Sequence, residues 1–291
     1  MRRTVPLPAT LPRAFATSVA SEHGVAPRRL RARDVQHPFH GVNAIGDVSA
    51  VEAYRHRMLP GQFFSHHTAA IVHGIPLPRT GRAVHVAVVA PRTPPRASGV
   101  VGHRVSADVE VVTLPDGTPV CSAADTWCQL AVALSTSDLV AAADHLLGAR
   151  GRPAIASVDE LDLAARRHAR GRGARARRDA MARARWGSDS RPESLLRLLV
   201  EDLEVGDVLI NHPLTVGGRT LHPDLLVPSR SLILEYEGDH HRVERDQWNH
   251  DLARYDAFAA AGWRVMRVTS RQLFDDPEGL ARRVRNVRQT T

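Results

Sequence analysis

The period of the apolar positions changes along the chain. Val48–Leu59 has helical spacing and ends at Pro60-Gly61, and Ser65 is placed to cap a further helix, His66–His73, stopped by Gly74. Ala83–Ala90 alternates and then runs apolar, as a strand does, and Gly99–Val105 and Val109–Leu114 read the same way. Ser122–Leu134 and Thr136–Leu147 return to helical spacing with Ala and Leu. After a polar, Arg-rich stretch, ESLLRLLVEDLE from Glu193 is a strong amphipathic helix. Strands follow at Asp207–Ile210 and within Leu221–Tyr236. Asp246–Ala261 is then helical, Trp263–Val268 a buried strand and Arg271–Val287 a last helix. Helix, meander, helix, strand, helix is a mixed α/β order.

The stretch LHPDLLVPSRSLILEYEGDHH, Leu221–His241, has a second pattern laid over the first. Side chains alternate faces along a strand, so Glu235 and Glu237 project to one side and Leu232, Leu234 and Tyr236 to the other. A turn at Pro228-Ser229-Arg230 brings Asp224 back towards them. Three gathered carboxylates repel one another, and a divalent cation relieves this; oxygen-only ligands suit Mg²⁺ or Mn²⁺. Ser190 with Glu193 three residues on is a capping-box pattern, and Glu193 also shares a helical face with Leu196 and Val200. Two readings of Glu193 stay open, a helix cap and an added acid for the cluster, and they are compatible.

Length and composition set the frame. At 291 residues there is room for more than one core, and no apolar run approaches a membrane span. The basic N-terminus lacks the apolar core of a secretion signal, so a cytoplasmic protein is expected. Cys121 and Cys128 are too few for a metal knuckle and read as small buried residues. The net charge of +8 suits a polyanion such as DNA. All 39 basic residues are arginine, so any chemistry that ordinarily uses lysine falls to another residue here. Nine arginines lie between Arg166 and Arg185 against one acid, Asp179. Such a run is either a solvated face or a grip on backbone phosphates, for which Arg175, Arg177 and Arg178 are candidates. His66, His67, His73, His85 and His103 have no acid or cysteine at ligand spacing and are read as surface or packing residues.

Four segments follow. Residues 1–60 are helical, with a degenerate helix-turn-helix outline around Gly24 and the basic Pro27–Val35. Residues 61–148 are α+β, 149–187 an Arg-rich linker or helix, and 188–291 a C-terminal α/β unit.

Two resemblances sharpen this. FSHHTAAIVHGIPLP, the HVAVV strand and PVCSAADTWCQLA, within about Pro27–Leu147, resemble AbiEi-type antitoxin-like proteins. That resemblance implies a winged-helix N-terminus, here degenerate, with its wing beginning near His40-Gly41-Val42, and DNA-binding repression. Arg191-Pro192-Glu193, Pro223-Asp224, Glu235-Tyr236-Glu237-Gly238, His240-His241, Asp251-Leu252-Ala253-Arg254 and Gly262-Trp263-Arg264-Val265 resemble the PD-(D/E)XK nuclease superfamily, in its very-short-patch-repair-like branch. This covers about Ser188–Val287 and implies a restriction-endonuclease-like sheet flanked by helices. It also implies a metal-dependent DNA endonuclease in which Asp224 and Glu235, with Glu193 and the Tyr236 carbonyl, hold Mg²⁺ or Mn²⁺. Glu237 stands where the family's lysine is expected, and Glu237 or His241 would move the proton. Arg254 and His240 would face the phosphate. The alternatives are a non-catalytic DNA-binding regulator that keeps only the nuclease fold, and a scaffold for protein partners. The oligomeric state is left open, a homodimer included.

Overall fold

The structure is a computed structural model and describes residues 5–79, 81–238 and 254–288. It is mixed α/β, with antiparallel and mixed sheets flanked by helices. The chain divides into two compact units, Met1–Leu130 and Ala131–Thr291. The division precedes the helix Thr136–Leu147, which therefore lies with the C-terminal unit.

The first unit opens with β1 (Ala14–Ala16), α1 (Thr17–Glu22), α2 (Pro27–Leu30), β2 (Val35–Phe39) and β3 (Val42–Ile45). Pro27 begins α2, where a missing N–H costs nothing. The strands pair antiparallel in the order β1-β3-β2. The β2–β3 hairpin turns at His40-Gly41, and its register slips between Gln36 and Phe39, where Pro38 has no N–H to donate. Phe15, Ala20, Val25 and Leu30 form the core beneath.

After α3 (Ala50–Arg55), a five-stranded sheet is built from β4 (Gln62–Phe64), β5 (Val84–Val89), β6 (Val100–Val105), β7 (Val111–Thr113) and β8 (Pro119–Cys121). Its order is β6-β5-β4-β8-β7, with β5–β6 and β4–β8 parallel and the other pairs antiparallel. The helices α4 (His66–Val72) and α5 (Ala123–Leu130) belong to the same unit, and α5 is buried along its whole length. Cys121 of β8 and Cys128 of α5 are both buried and form no disulfide.

The second unit begins with α6 (Thr136–Leu147), α7 (Val158–Arg167), α8 (Ala174–Arg183) and α9 (Arg191–Glu201). The Arg-rich stretch is thus largely helical. Arg197 of α9 meets Asp144 of α6 at 2.9 Å, both side chains fully buried. A four-stranded sheet follows, in the order β14-β13-β12-β9, from β9 (Leu209–Ile210), β12 (Leu225–Val227), β13 (Leu232–Glu237) and β14 (Arg264–Thr269). β10 (Leu214–Val216) and β11 (Arg219–Leu221) form a separate hairpin rather than part of a meander. Its turn holds Gly217 at φ 56° and Gly218 at φ 76°, the pair of positive values that a type I′ turn requires. A helix over 254–260, here α10, precedes β14, and the last helical stretch is broken in two. α11 (Ser270–Phe274) gives way to α12 (Pro277–Arg285), which Asp276 caps and Pro277 starts.

Period-two alternation sorts this sheet. Leu225, Val227, Leu232 and Leu234 pack with Leu196 and Val200 of α9 and with Leu273, Leu280 and Val284. Leu226 and Ile233, on the opposite face, pack with Val216 and with Phe258 of α10. Among the described residues no helix is long and apolar enough to cross a membrane.

Candidate functional site

The acid cluster is assembled by strand register. Leu225 pairs with Leu234 across the antiparallel β12–β13 ladder, so one step on Asp224 stands opposite Glu235, on the α10 face. The Tyr236 N–H donates to Asp224 Oδ2 at 2.7 Å. Arg254 from α10 donates to Glu235 Oε1 at 2.8 Å and to the His222 carbonyl at 2.7 Å. Glu193 comes from the first turn of α9. Its carboxylate accepts from the Asp189 N–H and the Ser190 hydroxyl, both at 2.8 Å, while its own N–H donates to Ser190 Oγ. Glu193 therefore caps its helix and also reaches the cluster.

Asp224 and Glu193 both act on Glu235, and Asp224 acts on Glu193. Glu235 is buried, and burial followed by the charge of Asp224 pushes its pKa up to about 9, with Arg254 pulling the other way. Burial and then Asp224 push Glu193 up to about 7. Asp224 is raised as well, by burial first and also by the charge of Asp189, against the Tyr236 N–H, Arg254 and a hydrogen bond with Glu235. A carboxylate this reluctant to ionise beside two others marks a place where positive charge is under-supplied. The donor set is all oxygen, the ligand type that Mg²⁺ and Mn²⁺ take; among the described residues, the group whose ligand atoms all lie within 4.8 Å of one another is a set of three histidines in the first unit and not these carboxylates.

Glu237 differs. It lies on the same face but forms a two-pronged ion pair with Arg267 of β14, and Tyr255 Oη donates to it at 3.2 Å. Its negative charge already has a local partner, and Arg267 also stacks over the Tyr255 ring at 5.3 Å. Arg267 and Tyr255 carry no motif that singles them out in sequence. Asp189, whose charge raises both Glu193 and Asp224, is legible only as the residue before a helix cap. His240 and His241 lie outside the described residues.

Of the candidate phosphate ligands, Arg175 and Arg178 are exposed on α8. Arg177 is not a surface residue. It is 2% exposed, and its guanidinium donates to the carbonyls of Arg172, His168 and Gly171, which corrects the expectation that it faces a phosphate.

The histidines also depart from a scattered surface or packing role. In the first unit His66, His85 and His103 each bring one ring nitrogen within 4.8 Å of the others, all three half-buried. Burial, then the neighbouring His103 and His67, lower the His85 pKa to about 4. His73 stands apart, its Nε2 2.7 Å from the Cys121 carbonyl oxygen.

No protein-family model matches the chain, and no curated protein matches it. Among solved structures, the chain is similar to the RV2827C protein from Mycobacterium tuberculosis at 18% identity and a TM-score of 0.35. That likeness covers 59% of this chain and 76% of the other.

Proposed function

We propose that this chain is a metal-dependent DNA endonuclease that hydrolyses phosphodiester bonds in the second unit. The observation that carries the reading is the pairing of Asp224 with Glu235 at the end of the β12–β13 ladder, joined by Glu193 from α9. Three neighbouring carboxylates with raised pKa values and oxygen-only donors suit Mg²⁺ or Mn²⁺, and the motif resemblance to PD-(D/E)XK nucleases of the very-short-patch-repair-like branch points the same way. When bound, such an ion polarises a phosphoryl oxygen and lowers the pKa of bound water.

The chain's own residues take the remaining tasks. Asp224 and Glu235 hold the ion, with Glu193 as the third oxygen donor. Arg254 keeps Glu235 oriented and, at the rim, offers positive charge to the phosphate. Glu237, paired with Arg267, fits an orienting part better than a direct ligand. Arg175 and Arg178, exposed on α8, are suited to hold backbone phosphates and carry no base information.

A non-catalytic DNA-binding regulator is the second reading, favoured by one observation. The order β1-α1-α2-β2-β3, with a hairpin turning at His40-Gly41, fits a reduced winged-helix outline of the AbiEi type. Supercoiled plasmid incubated with Mg²⁺ or Mn²⁺ separates the two. The endonuclease reading expects nicking that chelation stops and that Asp224→Ala and Glu235→Ala each abolish. Nicking that survives both substitutions would assign the chemistry elsewhere. Binding without nicking by the unaltered chain would favour the regulator.

A further inference from the structure

The first unit holds a side-chain cluster that the endonuclease reading does not use. His66 and His67 open α4, His85 lies in β5 and His103 in β6. β5 and β6 are parallel, with His85 opposite Val101 and Ala87 opposite His103, so His85 and His103 are diagonal neighbours on one face. The β4–α4 junction is tied to that face through the backbone. The Ser65 N–H donates to the His85 carbonyl at 3.1 Å, and the His85 N–H donates to Thr68 Oγ1 at 2.8 Å. The first turn of α4 is thereby held against the two strand histidines.

The rings meet closely. His85 Nδ1 and His103 Nε2 are 3.0 Å apart, and the His66 ring lies 3.7 Å from that of His103, nearly parallel to it. Two imidazoles on one tetrahedral ion, with bonds of about 2.0–2.1 Å, place their nitrogens about 3.3 Å apart. The His85–His103 separation is already of that order. His66 Nδ1 lies 3.1 Å from Ser65 Oγ, the kind of outer contact that fixes the tautomer and direction of a ligating histidine. The His66 backbone sits at φ 49°, uncommon for a residue with a side chain, and its N–H is anchored on Gln129 Oε1 at 2.8 Å. His67 adjoins the group, its ring 5.1 Å from that of His85, and its Nδ1 is buried with no hydrogen-bond partner among the described residues.

We propose that His66, His85 and His103 form a binding site for a borderline divalent transition metal, Zn²⁺ foremost, with His67 or a water as the fourth ligand. Three imidazoles suit Zn²⁺, Cu²⁺ or Ni²⁺ and not the oxygen-seeking Mg²⁺, so this centre is chemically separate from the carboxylates. The ion would clamp the start of α4 to the β5–β6 edge.

The test uses the untagged full-length chain, stripped with a chelator and held in excess Mg²⁺ to occupy oxygen sites. Calorimetric titration with Zn²⁺ should give a single equivalent and a raised melting temperature, and Co²⁺ should develop the visible absorption of a tetrahedral complex. Nitrogen-15 imidazole spectra of the unaltered chain should show His66, His85 and His103 shifting on Zn²⁺ addition. The His85→Gln/His103→Gln double variant should bind more than about 100-fold more weakly, beyond the loss expected for an outer-shell partner. Asp224→Asn/Glu235→Gln should bind Zn²⁺ as before. The site is overturned if the unaltered chain takes up no Zn²⁺, if its three imidazoles do not shift, if the histidine variant binds undiminished, or if the carboxylate variant loses the ion.

Discussion

Glu235 is buried with two other carboxylates near it and Arg254 as its cation, and this sets a pH dependence with a definite sign. Its pKa is about 9 in the folded chain against an ordinary 4.5. Between those values the folded side chain is protonated and the unfolded one ionised, so the folded state holds the extra proton. The stabilisation is complete below the unfolded value and is lost as pH rises towards 9, by up to about 1.4 kcal/mol per pH unit within the window. In chelator, the stability of the unaltered chain relative to Glu235→Gln should therefore fall between about pH 5 and about pH 8, as read from urea melts. A difference that rose with pH would mean that Glu235 is ionised in the fold. Under the endonuclease reading, Mg²⁺ should restore stability at the alkaline end while releasing protons, because it binds the ionised carboxylates.

At the scale of elements, α9 couples a helix cap to the cluster. Ser190 Oγ accepts the Glu193 N–H and its hydroxyl donates to the Glu193 carboxylate. Ser190→Ala should lower thermal stability by about 1 kcal/mol, the usual cost of a lost cap. Under the endonuclease reading it should also weaken Mg²⁺ binding, because the Glu193 carboxylate loses its tether. Unchanged metal affinity in that variant would remove Glu193 from the ligand set. Much of this centre was legible in the chain because its geometry is local. Asp224 and Glu235 belong to neighbouring strands joined by a tight turn, and alternation alone puts Glu235 and Glu237 on one face. Glu193 was legible through the spacing of a capping box. The partner of Glu237 was not, since Arg267 lies 30 residues on and reaches it across a parallel pairing that no local pattern encodes. The histidine triad was hidden for the same reason: His66, His85 and His103 meet only once β4, α4, β5 and β6 are arranged. α8 was obscured because its buried positions are an alanine and an arginine, Ala180 and Arg177, and not an apolar stripe. The first sheet was obscured by strands of three to five residues, one of them carrying Pro38.

For the whole molecule the governing quantity is charge. A net +8 carried entirely by arginine predicts an association with duplex DNA whose affinity falls steeply with salt, independent of sequence. Arg175→Gln and Arg178→Gln should each reduce the slope of log affinity against log salt by about 1. Arg177→Gln should instead lower stability, because it strips the buried donor from three carbonyls. Fluorescence anisotropy over a salt series and a thermal melt distinguish the cases. A salt slope unchanged in both surface variants would take α8 out of the proposed contact with DNA.

The parallel pairing of β13 with β14 also has a kinetic consequence. β12 and β13 close on a short turn, whereas β14 joins only after a long crossover, with Leu232 opposite Arg264. Contacts distant in sequence cost more loop-closure entropy and form late. The Asp224–Glu235 pair should therefore come together early in folding, with Arg267 arriving on Glu237 near the end. In denaturant-dependent rate measurements, Leu226→Ala should mainly slow folding and Val268→Ala should mainly speed unfolding. The reverse pattern would place the docking of β14 ahead of the hairpin.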